Sequence, residues 1–285
     1  MRTANLSGRL VLVTDDGLAV DVEQASDGRF GPDPQDIYQD WWNFRGWQTI
    51  ADLPRGRPFT PEELGAPAPR PRQVFAVGLN YRAHAAESGF EAPTTLPPVF
   101  PKYVSSITGP VTEVDLPPDG HTDWEVELVA VIGERAHHVS EDDAWLHVAG
   151  LTAGQDLSER ITQLSGPAAQ FGLGKSFPGF SPTGPFLVTP DAIEDPDNLA
   201  LGCSLNGEEV QKGRTDDLIF SVPALIARLS AILPLLPGDV VFTGTPAGVG
   251  LGRSPQRWIS AGDTLVSWIE GIGELRQTFR DRPSL

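Results

Sequence analysis

Glycine and proline interrupt this chain throughout, 30 of one and 27 of the other in 285 residues. Proline removes a backbone donor and glycine favours turns, so long helices have little room. Only residues 158–164 and 221–232 keep a good helical period of apolar positions. Strand signals dominate elsewhere, at 74–77, 124–132, 184–188, 199–205, 239–243 and 263–269. Many short apolar runs between Gly/Pro turns predict a mainly β (α+β) fold, a roll, barrel or sandwich with few helices.

The punctuation also suggests a division. Residues 1–70 read as a small β-rich N-terminal domain with a short helix around 37–44, ending in a connector that holds six prolines between 54 and 71. Trp41, Trp42 and Trp47 are its expected core or its contact with the main domain, residues 71–285. The most apolar stretch, 219–242, contains Arg228, Pro223, Pro234 and Pro237, and so reads as a buried helix followed by a strand rather than a membrane span.

A formal charge of -17 argues against nucleic acid and anionic membrane as partners. Any anionic ligand must be drawn in by a local positive site. One cysteine, Cys203, precludes an internal disulfide, sits in a strand pattern and fits a reducing compartment. With no long apolar leader at the start, the expected location is the cytoplasm. Eighteen basic residues are Arg and only Lys102, Lys175 and Lys212 are Lys. In such a chain a lysine is expected where a compact ammonium matters.

The run Asp123-Trp124-Glu125-Val126-Glu127-Leu128-Val129-Ala130-Val131-Ile132 reads as one strand with both faces apolar. Alternation puts Glu125 and Glu127 on one side, ~6.6 Å apart along the strand. Two carboxylates on a buried face repel and need compensation, which a hard divalent cation supplies. The same alternation fits a solvated edge face. Asp156, in Gln155-Asp156-Leu157-Ser158-Glu159-Arg160, is a third ligand candidate. It also reads as the start of a capping box with Glu159, with Arg160 as its i+4 partner. Three carboxylates without His or Cys point to Mg²⁺, Mn²⁺ or Ca²⁺. Gly174-Lys175-Ser176 lacks the first glycine of a phosphate loop, and His137, His138 and His147 are too irregular for zinc.

Five blocks occur in one order: Gly78-Leu79-Asn80-Tyr81-Arg82-Ala83-His84, Asp123 to Leu128, Gln155 to Arg160, Gly174-Lys175-Ser176-Phe177, and Thr243-Gly244-Thr245-Pro246-Ala247-Gly248-Val249-Gly250. From about residue 71 to 279 the chain resembles the fumarylacetoacetate hydrolase superfamily, in its acylpyruvase and 2-hydroxyhepta-2,4-diene-1,7-dioate isomerase-like branch. The resemblance implies a mixed β-sandwich roll or barrel, and Mg²⁺ or Mn²⁺ (Ca²⁺ also fitting) held by Glu125, Glu127 and Asp156. It implies a water-activating His84–Glu87 pair, one helical turn apart, and a lid over residues 88–98. Lys175 would stabilise or protonate an enolate, while Arg160, Gln163, Thr245 and Tyr81 would bind substrate. Glu159 departs from the family, where a small residue is commoner.

The implied activity is hydrolytic C–C cleavage of a small anionic 2,4-dioxo carboxylate, an acylpyruvate or fumarylpyruvate, through a metal-stabilised enolate. Such an enzyme would serve aromatic catabolism as a homodimer. Decarboxylation of an oxaloacetate-type β-keto acid and isomerisation of a hydroxydienoate use the same metal logic. A metal- or ligand-binding protein without turnover is the reading from a different class.

Overall fold

The computed structural model describes residues 1–282 apart from Ser88 and Phe90. Two mixed β-sheets carry the fold, and the helices between them are short. The larger sheet runs in the order Ala19–Asp21, Arg9–Val13, Arg2–Leu6, Ser181–Val188, Val148–Gln155, Val126–Ile132, Val240–Phe242, Val74–Val77, Val99–Pro101. The smaller runs Glu208–Arg214, Ala200–Leu205, Thr264–Ile269, Gly273–Asp281, Val111–Leu116. This is the mainly β architecture that the Gly/Pro spacing predicts.

The strand Val126–Ile132 is buried along its whole length. Val126, Leu128, Ala130 and Ile132 pack in one cluster with Leu201, Cys203, Leu265 and Leu275 of the smaller sheet. Val129 and Val131, on the opposite side, pack with Val240, Phe242, Trp41 and Phe44. The strand is thus clamped between two cores, and a one-residue slip would exchange its faces. That fixes where Glu127 points.

The strand Val148–Gln155 lies beside it and carries Asp156 at its end. Its composition, VAGLTAGQ, lacks the bulk and branching by which strands announce themselves. Small residues are needed there for packing. A Cβ on Gly154 would stand 2.5 Å from Val129 Cγ2 and 2.7 Å from Phe242 Cε1.

The strands Arg2–Leu6 and Arg9–Val13 of the N-terminal segment hydrogen-bond into the larger sheet through Ser181–Val188. Trp41 is buried against Gly133 of the main body, whereas Trp42 is 45% exposed and belongs to neither core nor contact. The expected helix at 37–44 forms as a 3₁₀ turn, Asp36–Asp40, followed by Trp41–Gln48. The expected helix at 221–232 forms as Val222–Ser230, capped by the Ser221 hydroxyl. At 158–164, however, Ser158–Glu159 pair with Thr122–Asp123 as strand and only Arg160–Gln163 are helical. Among the described residues no helix is long and apolar enough to cross a membrane.

Gly154→Ala is expected to overpack the interface between the central strands and cost about 1–3 kcal/mol. A lower urea midpoint with an unchanged slope would report it.

Candidate active site

Glu127 projects from the central strand, and Asp156 follows directly on its neighbour. Glu125 does not sit in a continuous strand, as the alternation suggested. The ladder stops at Val126, and Trp124 and Glu125 form a break before it. The reason is local bonding. The Glu125 N–H donates to the Gln155 side chain at 2.9 Å, and its C=O accepts from the Asp156 N–H at 2.9 Å. With Val126 opposite Gln155 in the ladder, this brings Glu125 across to Asp156. Oxygens of Glu125, Glu127 and Asp156 lie within 4.8 Å of one another, and all three residues are buried.

Three cations lock this cluster. Lys175 Nζ donates to Glu125 Oε2 at 2.7 Å and Asp156 Oδ2 at 2.6 Å. Lys102 Nζ donates to Asp156 Oδ1 and to the carbonyls of Lys175 and Phe180. Arg160 Nη2 lies 2.7 Å from Glu125 Oε1 and 2.6 Å from Asp123 Oδ2. With all four acids ionised, they outnumber these cations by one. The imbalance falls on Glu127, whose carboxylate accepts from the Gly244 N–H at 2.7 Å. Burial first, then the charges of Asp156 and Glu125, push Glu127 well above the usual carboxylate range. Burial acts on Glu125 in the same direction, but the charges of Lys175, Arg160 and His84 outweigh it and hold Glu125 low. Burial lowers both lysines; Asp156 and Glu125 reverse this at Lys175 and raise it, whereas Lys102 stays below its ordinary value.

His84 and Glu87 lie on the helix Arg82–Glu87, whose Ala83 N–H is taken by Asp217 at 3.1 Å. His84 is buried, with Nδ1 3.3 Å from Glu87 Oε2. Glu87 accepts from the N–H of Gly248, whose carbonyl accepts from the indole of Trp124 next to Glu125, so the pair stands beside the carboxylates. Asn80, just before, donates to the carbonyls of Phe220 and Thr243 at 2.9 and 2.8 Å and anchors the helix base. Tyr81 is fully buried and its hydroxyl has no hydrogen-bond partner among the described residues. Burial and then the charge of Glu127 raise the Tyr81 phenol well above its ordinary value. Ser88 and Phe90 of the expected lid lie outside the described residues.

Several side chains are committed differently from the expectation. Glu159, and not Asp156, caps the helix Arg160–Gln163: its carboxylate accepts from the N–H groups of His121, Ile161 and Thr162 and from the Thr162 hydroxyl. It therefore serves the helix start, and those bonds hold it below the usual range although burial opposes them. Arg160 pairs with Asp123 and Glu125 rather than with Asp156, and its Nη1 donates to Gln163 Oε1 at 2.9 Å. The Thr245 hydroxyl donates to the Val126 carbonyl and accepts from Gln211.

Three positions that brace the cluster escaped the sequence reading. Asp123 accepts from the N–H groups of Trp124, Gly250 and Leu251 and twice from Arg160. Gln155 holds the Glu125 backbone. Lys102 was signalled only by the scarcity of lysine.

The donor set, three carboxylate oxygens with a residual negative charge, fits a hard divalent cation such as Mg²⁺ or Mn²⁺. A mainly β fold with such a centre at the end of the central strands of its larger sheet defines the class. The profile of the fumarylacetoacetate hydrolase C-terminal family matches residues 73–280, and the chain belongs to that family.

A human mitochondrial oxaloacetate tautomerase is 45% identical over 209 residues, 73% of this chain and 66% of that protein. The chain therefore spans just under two thirds of that relative. A 2,4-didehydro-3-deoxy-L-rhamnonate hydrolase of Sphingomonas sp. (strain SKA58) is 44% identical over 80% of this chain and 79% of its own. A crystal structure of a Mycobacterium smegmatis protein, provisionally called HpcE, is 56% identical with a TM-score of 0.94, covering 99% of this chain and 100% of the other. The maleylpyruvate hydrolase of Sphingobium sp. SYK-6, solved with manganese (II) and pyruvate, is 28% identical with a TM-score of 0.80 over 99% of this chain and 100% of the other.

Mn²⁺ at 100 times its dissociation constant should stabilise the protein by about 2.7 kcal/mol. Thermal unfolding with and without the ion checks this, and Glu127→Gln should lose most of the gain. Glu159→Ala should cost about 1–2 kcal/mol through the lost cap, read in the same assay.

Proposed function

We propose that this chain is a divalent-metal-dependent hydrolase that cleaves a C–C bond in a 2,4-dioxo carboxylate of the acylpyruvate or fumarylpyruvate type. Glu125, Glu127 and Asp156 would hold Mg²⁺ or Mn²⁺. When bound, the cation supplies Lewis acidity towards the oxygens of the dioxo acid. The observation that carries the reading is the buried His84, paired with the Glu87 carboxylate, together with three clustered carboxylates. A centre for metal–ligand binding alone has no use for a water-activating pair.

With Nδ1–H donated to the Glu87 carboxylate, His84 keeps the lone pair on Nε2 and serves as a general base. It takes a proton from water as the oxygen bonds to the distal carbonyl carbon. The C–C bond to the pyruvate portion then breaks, and its electron pair leaves as the enolate of pyruvate. Protonation of that carbon gives pyruvate and a free carboxylic acid. Lys175, already bonded to two of the carboxylates, is the nearest ammonium to offer a hydrogen bond or proton to the developing enolate. Tyr81 contributes a free buried O–H to a substrate oxygen. Arg160 and Gln163 form one hydrogen-bonded unit whose part in substrate binding is secondary to holding Glu125 and Asp123.

A second reading is supported by the oxaloacetate tautomerase at 45% identity. Enolisation or decarboxylation of a β-keto acid needs the same centre and Lys175 but no attacking water. The homodimer and cytoplasmic location expected from the sequence belong to either reading, and light scattering tests the first.

Metal-loaded protein should turn over members of an acylpyruvate panel with varied tails. His84→Ala should lower hydrolysis by about 10²–10⁴-fold while Mn²⁺ binding persists. Full hydrolysis in His84→Ala would remove the proposed base. Oxaloacetate turnover retained in His84→Ala and lost in Lys175→Ala would establish the second reading instead.

A further inference from the structure

The pair His84–Glu87 and the carboxylate cluster sit on different parts of the chain, and the backbone of a single residue, Gly248, joins them. The Gly248 N–H donates to both oxygens of Glu87, at 3.1 Å each. The carbonyl of the same glycine accepts from the indole Nε1 of Trp124 at 3.1 Å. Trp124 is fully buried and directly precedes Glu125. Arg253 adds donors to that carbonyl from Nε at 3.4 Å and Nη2 at 3.3 Å, and Nη2 also reaches the Val210 carbonyl at 2.8 Å. Its guanidinium lies over the Trp124 ring, 5.6 Å from the centroid.

A carbonyl with several donors is held in orientation, and because it belongs to the same residue it restricts where the Gly248 N–H can point. The position admits only glycine. Gly248 has φ +108, and a Cβ there would lie 2.3 Å from the Val210 carbonyl oxygen. Gly252 completes the seat from the other side. A Cβ on Gly252 would meet the Glu87 carboxyl carbon at 2.8 Å and Oε1 at 3.0 Å.

We infer that the backbone of Gly248, its carbonyl held by Trp124 and Arg253 and its N–H donated to Glu87, is the positioning element that sets Glu87, and through it His84, against the carboxylate centre. Gly252 leaves the space in which the Glu87 carboxylate lies. The inference rests on the hydrolase reading for its effect on turnover, but the physical coupling of Gly252 to Glu87 does not. Gly248 and Gly252 act only through Glu87; they are positioning residues.

Gly252→Ala is the suitable probe. Its new methyl meets the far end of a flexible side chain, and Gly252 is not in the left-handed region, so the fold has no reason to fail. Wild type, Gly252→Ala, Glu87→Ala and the double variant are compared, each loaded with Mn²⁺, for kcat and KM on an acylpyruvate, Mn²⁺ affinity and thermal midpoint. Gly252→Ala should lower kcat by roughly tenfold or more with KM within about twofold, because a misplaced base is lost mainly in the transition state. Mn²⁺ affinity should not change. On the Glu87→Ala background, Gly252→Ala should alter neither kcat nor the midpoint.

Unchanged kcat in Gly252→Ala, or equal losses on both backgrounds, would overturn the inference. Arg253→Met approaches the same residue from its carbonyl side and should show the same kcat loss and the same dependence on Glu87; independence from Glu87 would count against the inference. If wild type turns over no dioxo acid, the hydrolase reading falls. The midpoint comparison still decides the coupling: a Gly252→Ala shift that vanishes without Glu87 sustains it, and additive shifts refute it.

Discussion

Everything around this centre depends on keeping four buried carboxylates in balance with three buried cations. An ionised group in a protein interior without partners costs several kcal/mol, and breaking a buried pair costs about 3–5 kcal/mol. Each charge here must therefore be met by backbone or side-chain groups from elsewhere. Asp123 takes donors from the next residue, Trp124, from the Arg160 helix and from the Gly250 loop. Lys102 ties Asp156 to the carbonyls of Lys175 and Phe180. The ionic lattice sets the mutual placement of segments that packing alone would leave free to slide.

The sheets supply what the lattice cannot, a fixed direction for each ligand. Both faces of Val126–Ile132 are filled by separate cores, so its register has no alternative. The small residues of Val148–Gln155 let that strand lie close, and Asp156 emerges at the level of the Glu125 break. The balance of charges is deliberately incomplete. Glu127 keeps only a backbone donor and bears the repulsion of its two neighbours. A divalent cation relieves that repulsion, and its charge then favours an anionic oxygen ligand.

Much of the chemistry was legible in the sequence because it was written locally. Glu125-x-Glu127 on an apolar strand and His84-x-x-Glu87 on one helical turn are patterns of neighbours, and the order of the family blocks joined them. What stayed hidden was non-local or lacked bulk. The strand Val148–Gln155 gives only a weak β-branched signal, Val148 and Thr152, because larger side chains would not fit at Gly150 and Gly154. Asp123 and Arg160 are 37 positions apart and nothing in either segment announces the other. Glu159 resembled the second member of a capping box and is the cap itself. The loop Thr243–Gly250 could be read as turns, but the use of its Gly248 backbone requires three separate segments in space.

The uneven choice of basic residues has an outcome at the surface as well as in the interior. Lys102 and Lys175 are enclosed by the centre, and only Lys212 carries an exposed side chain, 69% accessible. Arginine, which does not react as an amine, supplies the remaining positive charge outside. A reagent or an enzyme that modifies lysine therefore meets a single side-chain target, at Glu208–Arg214 on the edge of the smaller sheet. Modification of Lys212 marks that edge of the sheet and leaves the two lysines of the centre enclosed.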